Sequence, residues 1–246
     1  MIVSRAPLRV SLFGGGTDFK EFYYYNKTAI LSMAINKYVY IIIKKRLSSD
    51  IYIYWSKKKE ICKNVNEIEH DLIRESLIKA NIFDGVEIIC LSDVPGSGTG
   101  LGSSSSFTIA ALNAAFTYNG IQKSSYELAK IATEIEIDVL KKPIGIQDQY
   151  ISALGGIQLL VMGKKDKIKF NNLYSNNLHS KFINNLFLVY SGSGRKSENI
   201  LSDQKKLLKK NNSNLKKLSQ YAYDGKKLLK LKKYDSIGKL LNDNWN

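Results

Sequence analysis

The chain has 246 residues, enough to bury a sizeable core as one large or two small domains, and its 44% apolar content excludes a disordered linker or tail. No apolar run approaches a membrane span; the longest, Tyr38–Ile43, gives way to Lys44, Lys45 and Arg46. Net charge is +15, but residues 196–246 hold 13 lysines against 5 acidic residues, beside Leu207, Leu208, Leu215, Leu218, Leu228 and Leu229 at helical spacing, so solvated faces on amphipathic helices explain it without nucleic acid.

The opening MIVSRAPLRVSLF is interrupted by Arg5, Pro7 and Arg9 and does not read as an export signal. Cys62 and Cys90 lack metal spacing and form no disulfide framework, so a cytoplasmic protein is expected. Ile2–Phe13 alternates as a strand interrupted near Pro7, then meets Gly14-Gly15-Gly16-Thr17-Asp18. Asp18 either accepts from sugar hydroxyls or caps a short helix at Phe19–Tyr25, and spacing leaves the two even. Tyr23, Tyr24 and Tyr25 read as packing. Ala29–Lys45 and Ile51–Trp55 are strands, and Asn64–Ala80 is a helix with Ile68, Leu72 and Leu77 inward and a structural His70.

A strand at Val86–Leu91 leads to Pro95–Ser106, PGSGTGLGSSSS, and then to a helix carrying Phe107, Ala110, Ala111, Ala114, Ala115 and Tyr118. Glycines admit close backbone approach, unpaired first-turn N–H groups and the helix dipole favour an anion, and serines cap or ligate. The stretch therefore reads as a phosphate cradle. It has no Walker A lysine and no Gly-x-Gly-x-x-Gly frame. A flexible linker is the alternative, but strand and helix abut it directly.

A second helix, Ser124–Leu140, has the stripe Leu128, Ile131, Ala132, Ile135 and Val139. Glu136 and Asp138 flank it at roughly 80° to either side, and Glu134 points further away. Pro143 and Gly145 break the chain before Gln147-Asp148-Gln149, where Asp148 is either a catalytic carboxylate or the cap of a helix Asp148–Leu154. Ile157–Met162 is a strand with Lys167–Phe170 as its partner. Asn185–Tyr190 is another, running into Ser191-Gly192-Ser193-Gly194-Arg195, an arginine turn suited to phosphate. The remainder is helical and lysine-rich.

In this order the pieces resemble the GHMP family of small-molecule kinases. Gly100-Leu101-Gly102-Ser103-Ser104 matches the family's second motif, with one extra residue after Pro95 and Ser105 where alanine is usual. Arg5-Ala6-Pro7-Leu8-Arg9-Val10 matches its first segment. RAPLRVSLFGGGTD, GIQDQYISALGG and YSGSGRKSENIL are most similar to the branch acting on heptose 7-phosphate.

The resemblance implies a two-domain α+β fold: a ribosomal-protein-S5-like N-terminal domain over residues 1–180, with a left-handed βαβ crossover, and a ferredoxin-like domain over 181–246. The latter reads as incomplete, since nothing in Asp224–Asn246 matches the family's last glycine-rich motif. It also implies ATP held by Pro95, Gly96, Ser97, Gly98, Thr99, Gly100, Leu101, Gly102, Ser103, Ser104 and Ser105, with Mg²⁺ on Ser104 and on Glu136, favoured over Asp138. Sugar phosphate would meet Gly15, Gly16, Thr17, Asp18, Gln147, Ser193, Gly194 and Arg195. Asp148 would take the hydroxyl proton and Arg9 would be its basic partner. No nucleic acid or membrane partner is implied, and a homodimer is compatible with it. The rival readings are a sugar-1-kinase on a free sugar and a non-catalytic nucleotide- or nucleic-acid-binding module.

Overall fold

The computed structural model describes residues 1–95, 98–164, 167–173, 180–189, 197–208 and 211–245. Two compact units emerge: residues 1–8, 35–142 and 148–154 in the first, and 9–34, 143–147 and 155–246 in the second. Strands β1 (Ile2–Phe13) and β2 (Thr28–Lys45) pair and contribute residues to both. β1 runs unbroken through Pro7, contrary to the expected interruption; β2 is the strand it pairs with, and proline is tolerated on such an edge.

In the first unit, period-two alternation sends Ile41, Ile43, Ile51, Ile53, Val86 and Ile88 to one sheet face. The strands are β2, β3 (Ile51–Trp55), β4 (Lys58–Cys62) and β5 (Val86–Ser92), in the order β4-β3-β5-β2. β5 is antiparallel to β2 (Ile42 opposite Ile89) and parallel to β3 (Tyr54 opposite Ile89). That buried face shares one core with α2 (Asp71–Lys79) and α3 (Ser103–Tyr118), whose Ala110, Ala111, Ala114 and Ala115 permit close packing. His70 stacks on Phe107 at 4.6 Å and meets Trp55 edge-on at 4.8 Å, and burial lowers its pKa, as a structural histidine requires.

Two expected helices are broken. The Asn64–Ala80 helix is a 3-10 turn at Val65–Glu67 followed by α2, because Asn64 and Glu67 close the turn locally through Asn66 N–H to Asn64 Oδ1 (3.0 Å) and Lys63 N–H to Glu67 Oε2 (2.8 Å). The Ser124–Leu140 helix is α4 (Ser125–Thr133), with a Ser124–Glu127 capping box, followed by a π-helical segment, Glu134–Val139.

In the second unit, β6 (Ile157–Gly163) is antiparallel to β2, with Leu31 opposite Leu159, and β7 (Lys167–Asn172) is antiparallel to β6. The short α1 (Lys20–Tyr23) buries Phe22 and Tyr23, whereas Tyr25 is exposed, so the tyrosine cluster packs only in part. After α5 (Gln147–Leu154, of which 148–154 belong to the first unit) come α6 (Ser180–Asn184), α7 (Ser197–Lys206), α8 (Asn212–Lys230) and α9 (Tyr234–Trp245). The strand expected at Asn185–Tyr190 is absent over its described part: 186–189 take no regular form and Phe187 is 88% exposed, since among the described residues no strand lies alongside to bond them.

α8 buries Leu215, Ser219, Ala222, Gly225 and Leu229, and Ser219 Oγ accepts from Ala29 N–H at 2.9 Å. A β-carbon on Gly225 would stand 2.6 Å from Phe13 Cδ2 and 3.1 Å from Leu31 Cδ2. Alanine gains up to about 1 kcal/mol in helix propensity, but overpacking costs about 1–3 kcal/mol. Gly225→Ala is therefore expected to lower the urea unfolding midpoint; a raised midpoint would mean that the Phe13 ring yields freely.

Candidate active site

The loop from β5 to α3 is shaped by its glycines. Gly98, Gly100 and Gly102 have φ of 81°, 68° and 73°, whereas the intervening Thr99 and Leu101 do not adopt positive φ. Such alternation aims successive N–H groups into one concavity, an arrangement that binds anions. Gly102 is itself the N-cap of α3, in the left-handed region, with no side-chain cap. The serines therefore do not cap α3, one of the roles open to them in the sequence, but follow its glycine N-cap in the first turn. Thr99 Oγ1 is buried without a hydrogen-bond partner among the described residues, an orphaned donor inside the cradle. Pro95 is exposed, while Gly96 and Ser97 lie outside the described residues.

The inward hydroxyls of α3 are committed. Ser106 Oγ donates to the Pro7 carbonyl at 2.8 Å and lies 2.9 Å from Ser152 Oγ. Ser105 Oγ donates to Glu136 Oε2 at 2.7 Å, Thr108 Oγ1 donates to Glu136 Oε1, and Gln149 Nε2 donates to Oε2 at 2.7 Å. Glu136 is fully buried, and burial pushes its carboxyl pKa upward against the opposing pull of Thr108, Ser105 and Gln149.

The π segment explains why Glu136 and not Asp138 faces inward. Leu140 N–H bonds to Ile135 O at 2.9 Å, a five-residue step whose extra residue turns Asp138 and Val139 to the exterior. Val139 accordingly leaves the apolar stripe in which the helical pattern had put it. The serine meeting Glu136 is Ser105; Ser104, expected there, is exposed, because Ser105 and Thr108 share the inner face of α3. The Glu136 carboxylate and the Ser105 hydroxyl are hard oxygen donors of the kind Mg²⁺ takes, although Gln149 Nε2 shares the same carboxylate oxygen.

Part of the expected site belongs to the second unit. Thr17 Oγ1 donates to Gly14 O at 2.8 Å, and Thr28 Oγ1 donates to Thr17 O at 3.2 Å, closing the glycine turn. Asp18 does not cap α1, whose N-cap is Phe19 without a side-chain bond; its Oδ2 accepts from Gln147 N–H at 3.0 Å, across 129 residues of chain. The approach requires glycine at 145, where a β-carbon would overlap the Asp18 carboxylate. Ser11 Oγ fixes the Gln147 side chain through Oε1 at 2.8 Å.

Gly15 is exposed, and Gly16 is half-buried beneath the Gln204 amide of α7, a neighbour that no sequence pattern in that lysine-rich helix signals. Arg9, on β1, is half-buried in this unit. Asp148 is half-buried in the first unit, inside the first turn of α5, which begins at Gln147, so it is not that helix's cap. Ser193, Gly194 and Arg195 lie outside the described residues.

A glycine loop of alternating φ opening a helix, with a buried glutamate beside that helix, is an arrangement suited to an anion. Residues 65–156 match the family described as GHMP kinases N terminal domain. The chain is 26% identical over 265 residues to the D-glycero-alpha-D-manno-heptose 7-phosphate kinase of Campylobacter jejuni, covering 99% of this chain and 76% of that protein. Galactokinase of Thermotoga petrophila is 30% identical over 166 residues, with 61% of this chain covered; the match spans only 43% of that enzyme. The fold is that of a D-glycero-D-manno-heptose 1-phosphate kinase from Bacteriodes thetaiotaomicron, with a TM-score of 0.82 at 24% identity, covering 100% of this chain and 78% of that one.

Proposed function

We propose that the protein transfers the γ-phosphoryl group of ATP to the anomeric hydroxyl of a sugar phosphate, D-glycero-D-manno-heptose 7-phosphate, forming the 1,7-bisphosphate and ADP. The observation that carries this reading is the alternating-φ loop at Gly98–Gly102 feeding the uncapped start of α3. Phosphoryl transfer asks a protein chiefly for alignment and charge neutralisation, which such a loop supplies to a polyphosphate. Glu136 and Ser105 would hold magnesium, with Ser104 within the same turn; when bound, that ion neutralises charge on the transferred phosphoryl.

Asp148 accepts the proton as the acceptor oxygen bonds to phosphorus and the bond to ADP breaks. Arg9 is assigned to the charge of the transferring phosphoryl, and Asp18 and Gln147 to orienting the sugar. No described helix is long and apolar enough to cross a membrane, and a cytoplasmic setting is part of the proposal. The resemblance to a galactokinase supports a second reading, phosphorylation of a free sugar.

The test is a coupled kinase assay with heptose 7-phosphate, fucose, galactose and homoserine, followed by phosphorus NMR of the product. Fastest turnover on heptose 7-phosphate with a new anomeric phosphate signal is expected. Preference for free galactose would replace the acceptor assignment, and turnover only on homoserine would remove sugars altogether. A second expectation concerns Asp18: Gly145→Ala displaces its carboxylate and should raise the sugar KM by about tenfold, the equivalent of one charge-assisted hydrogen bond, leaving the ATP KM alone. A changed ATP KM with unchanged sugar KM would take Asp18 off the acceptor side.

A further inference from the structure

Strand register collects lysines on one face of the second unit. Gly163 lies opposite Lys167 and Val161 opposite Lys169, while Lys27 precedes Thr28, the partner of Met162, and is level with Gly163. Cross-strand partners and residues two apart share a face, so Lys27, Lys167 and Lys169 emerge side by side. Lys164 at the end of the β6–β7 hairpin and Lys226 on α8 complete the ring around a cavity of about 680 Å³ floored by Leu159 and Val161.

Among the described residues no acidic side chain lines this cavity, and none of the five ammonium groups has an ion-pair partner. Tyr223 also lines it, and its hydroxyl is buried without a hydrogen-bond partner among those residues. Like charges gathered without counter-charge, beside an unsatisfied donor and an apolar floor, describe a receptor for an anion that is absent from the protein's own side chains.

We propose that this cavity is a second binding site, separate in its residues from the phosphate loop, for a small organic polyphosphate. The lysines take the phosphoryl oxygens, the Tyr223 hydroxyl donates to one of them, and the uncharged body rests on Leu159 and Val161. The concavity favours a small molecule over a long polyanion, since its volume falls within the range of compact ligand pockets.

The proposal is tested by calorimetric titration of the full chain with tripolyphosphate at fixed ionic strength. Lys169→Glu/Lys226→Glu is expected to weaken binding by about tenfold or more, whereas Lys232→Glu/Lys233→Glu, an equal change of charge outside the cavity, should alter it less than about twofold. Neither pair belongs to the phosphate loop, so binding there contributes equally to both variants and does not depend on the proposed acceptor. Tyr223→Phe should weaken binding while melting no lower than wild type without ligand, because it removes an unsatisfied hydroxyl. Equal losses from the two lysine pairs, wild-type affinity in Tyr223→Phe, or binding of a single-stranded oligonucleotide alone would each overturn the assignment.

Discussion

Asp148→Asn is expected to bind ATP as the wild type does and to lose turnover by about 10²–10⁴-fold, the usual contribution of a positioned general base. Asparagine keeps the shape of the side chain within the first turn of α5, half-buried as the aspartate is, but cannot accept the acceptor proton. The loop proposed to hold the polyphosphate is built from other residues, so the loss should fall on kcat and leave the ATP KM unchanged. Stopped-flow or coupled steady-state kinetics with direct nucleotide titration separate the two. Wild-type turnover in this variant would remove Asp148 from the chemistry, and a parallel loss of nucleotide affinity would give it a binding role instead.

Glu136→Gln is expected to raise stability at neutral pH and abolish magnesium-activated turnover together. In the folded chain burial raises the Glu136 pKa above its ordinary value near 4.5, so the native state binds this proton more tightly than the unfolded chain does. Stability is therefore lost as pH climbs from that ordinary value through the raised one, and stays lost above it. Glutamine has no such dependence. Its carbonyl can take the Oε2 place and accept from both Gln149 and Ser105, while the Thr108 hydroxyl turns its proton to Ser104 O and accepts from the amide.

Thermal melts from pH 4 to 8 should show the variant's advantage growing with pH, while its turnover stays low at every magnesium concentration. The variant melting below wild type by a constant margin at all pH values would contradict the cost assigned to the buried carboxylate. Retained activation by magnesium would take that ion away from Glu136.

The two halves of the site were legible to different degrees. The glycine loop was readable because its requirement is local: glycines at 98, 100 and 102 permit left-handed φ wherever the rest of the chain goes. The same holds for β2, β3, β5 and α3, whose apolar periodicity matches the face each one buries. Choosing among hydroxyls and carboxylates was not local. Ser104 and Ser105 are equivalent in sequence, and which one reaches Glu136 depends on how α3 is rotated against the sheet.

By itself, then, the order of residues determined most of the element types, the left-handed glycines of the loop after β5 and the likeness to GHMP kinases, because dihedral preference and periodicity act over a few neighbours. Only the tertiary structure decided that a π turn carries Glu136 inward past Asp138, that Asp18 answers to Gln147 and not to α1, and that Asn185–Val189 stays out of a sheet. Those outcomes rest on hydrogen bonds and packing between segments far apart in the chain, which no local pattern encodes.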